Sequence, residues 1–79
     1  MAVTVRLFAA ARAAAGTSET QVQPGTLGET LDQLVVAHPK LSEVLPQCSY
    51  LVDETACNDK AAAVKDGSTV DVLPPFAGG

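Results

Sequence analysis

Ser68-Thr69-Val70-Asp71-Val72-Leu73-Pro74-Pro75-Phe76-Ala77-Gly78-Gly79 is the stretch that decides how this chain is read. Val70 and Val72 point one way and Thr69, Asp71 and Leu73 the other, which is the two-residue period of a strand with one buried face. Asp66-Gly67, directly ahead of it, is a turn signal. The strand runs without a break into Pro74-Pro75, which fix φ and hold the residue before each proline in extended backbone. Past the prolines come one aromatic residue and a Gly-Gly end. Glycine has no Cβ, so that end adopts nearly any φ/ψ and passes through a channel too narrow for other residues. The pattern predicts a proline-stiffened arm over 74–79, fed by a sheet strand and ending in a free carboxylate. At about 3.3 Å per extended residue the arm spans roughly 20 Å, enough to enter a partner's pocket while the body stays outside.

The rest of the chain predicts a scaffold for that strand. Val3, Val5 and Leu7 alternate with Thr4 and Arg6 as a first strand, which Phe8 extends toward the edge. Residues 9–16 are Ala-rich and too short for a free helix, so a short helical turn closed by Gly16 is expected. Glu19 to Gln23 alternates around Val22 and ends at the turn pair Pro24-Gly25, a second strand paired with the first as a hairpin. Thr26-Leu27-Gly28-Glu29 matches a capping box. Leu27, Leu31, Leu34 and Val35 then form one apolar stripe, and Pro39 ends the helix. The lone histidine, His38, falls at the helix end, with its ring near the last carbonyls. Leu41, Val44 and Leu45 suggest one further helical turn under the sheet before Pro46. Ser49–Val52 and Thr55–Cys57 read as strands around the polar turn Asp53-Glu54, while 58–64 takes no assignment. The order β-β-α-β-β is that of an α+β domain over 1–79, a mixed sheet of four or five strands around one main helix. A right-handed crossover places the last strand beside the first and parallel to it.

Composition narrows the function classes. A chain of 79 residues buries only about 60% of its unfolded surface, too little for a large internal active site. Five Lys and Arg against nine Asp and Glu give a net charge of -4, which disfavours nucleic acid and anionic lipid and favours a basic protein surface as partner. Met1–Val5 lacks the basic-then-apolar pattern of a secretion signal, and no run approaches the ~20 apolar residues of a membrane span. A cytoplasmic protein is expected. Cys48 and Cys57 have no His or Cys at zinc-ligand spacing, so no metal site or redox motif is indicated. Reduced thiols are expected, and a disulfide across a hairpin is the alternative.

Val5-Arg6-Leu7-Phe8-Ala9-Ala10-Ala11-Arg12 at the start, and Asp66-Gly67 through Pro74-Pro75-Phe76-Ala77-Gly78-Gly79 at the end, resemble the ubiquitin-like β-grasp sulfur carriers of the MoaD/ThiS family. The order of elements between them agrees, so the resemblance covers essentially the whole chain. The Pro-Pro arm and Phe76-Ala77 look more like the molybdopterin synthase small-subunit branch than the thiamin branch. The chain departs from the family's common pattern at Phe76-Ala77 and at Asp53, where members often carry Val-Thr or Val-Ser and Asn, which bears on partner specificity.

The resemblance implies a protein substrate rather than an enzyme in isolation, with no bound cofactor. An adenylating enzyme similar to MoeB would use ATP to join AMP to the Gly79 carboxylate, because a bare carboxylate has no usable leaving group. A sulfur donor would displace AMP and leave a thiocarboxylate. The carrier would then dock into a large synthase subunit similar to MoaE and give sulfur to a pterin precursor of the molybdenum cofactor. On this reading Gly79 reacts, and Phe8, Pro74, Pro75, Phe76, Ala77 and Gly78 meet the partner. Phe76 is either an anchor at the pocket mouth or part of the core, and Arg6 and Arg12 are either partner contacts or solvated. Sulfur delivery to thiamin or cysteine synthesis, a ubiquitin-like modifier joined through Gly79 to a target lysine, and a passive binding module share the same fold.

Overall fold

The structure, a computed structural model, describes residues 2–74. Strand β1 (Val3–Leu7) pairs antiparallel with β2 (Glu19–Val22) from Val3↔Val22 to Arg6↔Glu19. Val3, Val5 and Leu7 are buried, as the alternation requires. The strand stops at Leu7 because Ala9 turns the chain sharply at φ 50, the left-handed region that an alanine adopts only at a cost. Helix α1 (Ala10–Ala15) follows and buries Ala11. Gly16 ends it at φ 74, its N–H donating to the Arg12 carbonyl, where the absence of a Cβ matters.

The main helix, α2 (Leu27–Ala37), begins with the expected capping box. Thr26 Oγ1 accepts the Glu29 N–H at 3.1 Å, and the Glu29 carboxylate accepts the Thr26 N–H at 2.8 Å. The other first-turn donors are also satisfied: Leu27 N–H reaches the Ala62 carbonyl and Gly28 N–H the Lys60 carbonyl, each at 2.9 Å. The unassigned stretch 58–64 therefore exists to cover this helix end. Its last residues form β6 (Ala63–Val64), antiparallel to β3 (Gly25–Thr26), a second two-stranded sheet. Gly25, expected as half of a turn, is the first residue of β3.

Leu27, Leu31 and Leu34 are buried and Val35 half-buried, with Thr30 also in the interior. Each fully buried leucine is worth about 1.5–3 kcal/mol over exposure. After His38 the chain makes two 3₁₀ turns, Pro39–Glu43 and Leu45–Gln47, instead of one helical turn. Each has its proline in the first positions, where no N–H is needed. Leu41 and Leu45 are buried there, and the first turn closes the gap between α1 and α2.

Strand β4 (Ser49–Val52) and the two-residue β5 (Thr55–Ala56) form a hairpin whose turn residues Asp53 and Glu54 both have positive φ, 49 and 69. Cys57 lies just outside β5, though its N–H still donates to the Tyr50 carbonyl. The last strand, β7 (Thr69–Leu73), is parallel to β1 and antiparallel to β4, giving the sheet order β2-β1-β7-β4-β5. One face of the sheet packs on α2, and the other carries Arg6, Asp71, Leu73 and Leu51. This is the expected α+β arrangement, with five strands in the main sheet.

Candidate functional site

The strand that leads into the C-terminal residues 74–79 occupies the middle of the sheet. β7 is hydrogen-bonded on both sides, so the point where the chain leaves it is fixed by two ladders, Leu7↔Val72 on one flank and Ser49↔Leu73 on the other. Pro74 shares the parity of Val70 and Val72 and is fully buried. It packs inward at the end of β7, where the expectation set it against a partner; the strand's period continues one residue past its last ladder position. Pro75, Phe76, Ala77, Gly78 and Gly79 lie outside the described residues, as does the choice between anchor and core for Phe76.

Phe8 stands beside this exit. Its N–H donates to the Val72 carbonyl at 3.3 Å, which continues the parallel register so that Phe8 lies next to Leu73. Its side chain is 40% exposed, while Leu73 and Leu51 on the same face are half-buried. Leu51 is the cross-strand neighbour of Asp71 and so diagonal to Leu73. The open face therefore carries an apolar strip beside the end of β7, running from Phe8, just past β1, across β7 to β4. The alternation sets Leu73 on the side opposite Val70 and Val72, and Leu51 falls within an expected strand, but nothing in the sequence sets either beside Phe8.

An ion pair centres this face. Arg6 donates from Nε and Nη2 to the two oxygens of Asp71 at 2.6 and 2.8 Å, a bidentate arrangement between directly paired residues of the parallel strands. The hydrogen bond to Asp71, reinforced by its charge, raises the Arg6 pKa above the ordinary value. Arg6 is thus ion-paired within the sheet while its side chain stays 44% exposed on the open face, and Arg12 is exposed on α1. At the opposite end of β7, Asp53 accepts the Thr69 N–H and the Ser68 hydroxyl, each at 2.9 Å. Those bonds, the Thr69 N–H first, hold the Asp53 carboxyl below its usual range. They tie the β4–β5 turn to the start of the arm-bearing strand.

Cys48 and Cys57 are free thiols. Cys48 Sγ donates to the Val44 carbonyl at 3.3 Å, and burial pushes its pKa up, which keeps it a protonated thiol and a poor nucleophile. Among the described residues no group of three His, Cys, Asp or Glu is placed to hold a metal ion. No helix among them is long and apolar enough to cross a membrane.

Residues 5–79 match the model of the ThiS family. The chain is 32% identical over 83 residues to a curated relative, the molybdopterin synthase sulfur carrier subunit of Chlamydomonas reinhardtii, with all of both chains covered. Among solved structures it is similar to SAMP1 from Haloferax volcanii, at 29% identity and a TM-score of 0.86 over 100% of both chains. It also resembles a chain in the complex of subunits 1 and 2 of the molybdopterin-converting factor from Helicobacter pylori, at 24% identity and a TM-score of 0.74 over 100% of both chains, a likeness of fold alone. With the family model spanning nearly the whole sequence and a relative alike from end to end, the chain belongs to the MoaD/ThiS family of ubiquitin-like β-grasp sulfur carriers.

Proposed function

We infer that this carrier serves molybdopterin synthesis, with the Gly79 carboxylate as the group that is activated and loaded with sulfur. The observation that carries this reading is the end-to-end similarity to the Chlamydomonas reinhardtii sulfur carrier subunit. The physical argument agrees with it. A reaction at a chain terminus needs no catalytic side chain of its own, but it needs the terminus delivered at a fixed place. The central place of β7, with Pro74 buried just past its last ladder position, fixes the point from which residues 75–79 continue.

The sequence of steps balances without a cofactor on this chain. A partner adenylating enzyme of the MoeB type transfers AMP from ATP to a Gly79 oxygen and releases pyrophosphate. A donor supplying sulfur at the sulfide level attacks the carbonyl carbon, and AMP leaves with the oxygen. The resulting thiocarboxylate is ionised near neutral pH and attacks a carbon of the pterin precursor within a synthase whose large subunit is of the MoaE type; an oxygen leaving group departs from that carbon, and water then cleaves the acyl–sulfur bond, which leaves sulfur on the precursor and restores the Gly79 carboxylate. The Helicobacter pylori neighbour is a complex of that protein's subunits 1 and 2, and we place the corresponding contact here on the open face around Phe8 and Leu73, with Pro75, Phe76, Ala77 and Gly78 following into the pocket.

A second reading has its own support in the similarity to SAMP1, named a small archaeal modifier protein for Haloferax volcanii. The same activated terminus would then be taken by a lysine amine to give an amide. Intact-mass spectrometry after incubation with adenylating enzyme, ATP and a sulfur source separates the two. Replacement of one oxygen by one sulfur at Gly79 is the expected result. A stable amide to another protein in its place establishes the modifier, and an unchanged mass with a competent enzyme removes both.

A further inference from the structure

β2 is one edge of the main sheet, and its outward backbone is occupied unevenly. Leu7 N–H donates to the Ser18 carbonyl at 2.8 Å, and the antiparallel register steps from there through Val5↔Thr20 to Val3↔Val22. Hydrogen-bonded pairs alternate along such a ladder, so Thr20 and Val22 turn their N–H and C=O toward β1. Glu19, Gln21 and Gln23 turn theirs to the free edge. Two of these three are covered by side chains. Thr17 Oγ1 donates to the Glu19 carbonyl at 3.0 Å and accepts its N–H at 3.4 Å. The Gln33 amide accepts the Gln23 N–H at 2.7 Å and donates to its carbonyl at 3.1 Å, the two bonds a neighbouring strand would make. Among the described residues, Gln21 alone keeps both outward groups open.

Beside Gln21, β2 and α2 enclose an apolar groove of about 430 Å³ whose walls include Val22, Leu34, Val36 and Ala37. Val36 is 82% exposed, on the helix side turned away from the core stripe. The groove's lining has one carboxylate, Asp32, and no cation, and Glu19 lies on the same edge.

We propose that this edge and groove form a docking site for an extended segment of a partner protein, which adds to β2 as a sixth strand. Its alternate side chains are aliphatic and fill the groove over Val22, Val36 and Ala37, and the intervening ones are Lys or Arg beside Glu19. The open N–H and C=O of Gln21 supply the entry hydrogen bonds, and release of the Gln33 amide exposes those of Gln23. The two-residue period of a strand puts every second side chain into the groove. Charge selects against a second copy of this chain, since two β2 edges would bring Glu19 and Asp32 of both copies together in a protein of net charge -4. β1 separates β2 from the arm-bearing β7, so this site is distinct from the end that carries Gly79.

The test is an amide NMR titration of the full-length chain with a short capped peptide alternating Val or Ile with Lys, and with the same peptide carrying Glu for Lys. The Lys peptide is expected to shift Gln21, Gln23 and Val36. Gln33→Ala, which removes the competing clip, should tighten its Kd severalfold, up to about tenfold. Val36→Asp, at a position that contributes little to the core, should weaken it at least about tenfold, as should the Glu peptide. The proposal is overturned by no shift at Gln21 with millimolar Lys peptide, by shifts confined to Arg6, Leu51 and Leu73, or by unaltered binding to Val36→Asp. It is overturned equally by sedimentation showing that copies of the chain pair through this edge without peptide.

Discussion

Arg6 and Asp71 are joined by two parallel hydrogen bonds across the parallel pair β1–β7, with the Asp71 side chain 8% exposed and the Arg6 side chain 44% exposed. The pair links the chain's first strand to the strand that carries its last residues. Arg6→Ala removes both hydrogen bonds from a carboxylate whose side chain is 8% exposed in the folded chain, which costs more than the loss of a fully exposed ion pair. Arg6→Lys keeps the charge and loses the two-pronged geometry. Thermal unfolding followed by circular dichroism should rank the Tm values wild type, then Lys, then Ala, with Ala lower by several degrees. A Tm for Arg6→Ala equal to wild type would show that the pair contributes nothing.

Asp53 gives the fold a pH dependence of definite sign. Its carboxyl is held below the usual range by the Thr69 N–H and the Ser68 hydroxyl. A folded pKa below the unfolded one contributes stability that is present above the unfolded value, and it is lost as pH falls through the folded one, here below about pH 4. Solvent screening keeps the effect modest. Asp53→Asn retains an acceptor for the Thr69 N–H and tolerates φ 49, but does not titrate there. Melting curves taken from about pH 6 to about pH 2 should fall less steeply for Asp53→Asn than for wild type. Parallel curves would refute the assignment.

Thr30 is 0% exposed, and among the described residues its hydroxyl has no hydrogen-bond partner. A buried donor left unpaired is a standing cost. Thr30→Val keeps the shape and removes the hydroxyl, and urea unfolding should show a gain of about 1 kcal/mol. Thr30→Ser, which keeps the hydroxyl and opens a methyl-sized void, should lose about 1 kcal/mol. A loss in Thr30→Val would mean that the hydroxyl is satisfied in solution.

Gly28 lies in the first turn of α2, where exchange for alanine ordinarily stabilises a helix by about 1 kcal/mol. Here a Cβ would sit 3.3 Å from the Lys60 carbonyl oxygen and 3.5 Å from the Lys60 Cβ. The same carbonyl accepts the Gly28 N–H, so it cannot retreat without giving up a helix-capping bond. Gly28→Ala should therefore show no gain in urea unfolding. A full gain of about 1 kcal/mol would show that the segment over the helix end yields freely.

That segment also marks where the sequence ceased to be legible. The β1–β2 hairpin, the capping box of α2 and β7 all announce themselves through local periods or fixed spacings, and each forms where expected. β3 and β6 are two residues each, too short to carry a period, and their pairing is set by the need to cap α2. The two 3₁₀ turns share their apolar residues with an ordinary helical turn and differ from one only through Pro39 and Pro46. The Arg6–Asp71 pair could not be seen in the sequence, because it requires the parallel register, in which residues 65 positions apart face each other. Proline usually marks the end of packing, whereas Pro74 continues the buried side of β7.

Docking and chemistry should separate in this carrier. Phe8 is 40% exposed beside Leu73, and its loss leaves the core of Val5, Leu7, Val70 and Val72 untouched. Phe8→Asp places a charge in a strip proposed to be covered by the large synthase subunit, so isothermal titration should show affinity reduced at least about tenfold. Its Tm should stay close to wild type. Deleting Gly79 acts on the other function: binding to the large subunit persists, Tm is unchanged, and no thiocarboxylate forms with adenylating enzyme, ATP and sulfur source. Phe76→Asp belongs with Phe8→Asp if Phe76 is the anchor, and with a large fall in Tm if it is core. Sulfur loading of the chain lacking Gly79 would show that the reacting carboxylate need not be that of Gly79. A sharp drop in its Tm would instead make the arm a part of the core, and the central strand would then serve packing alone.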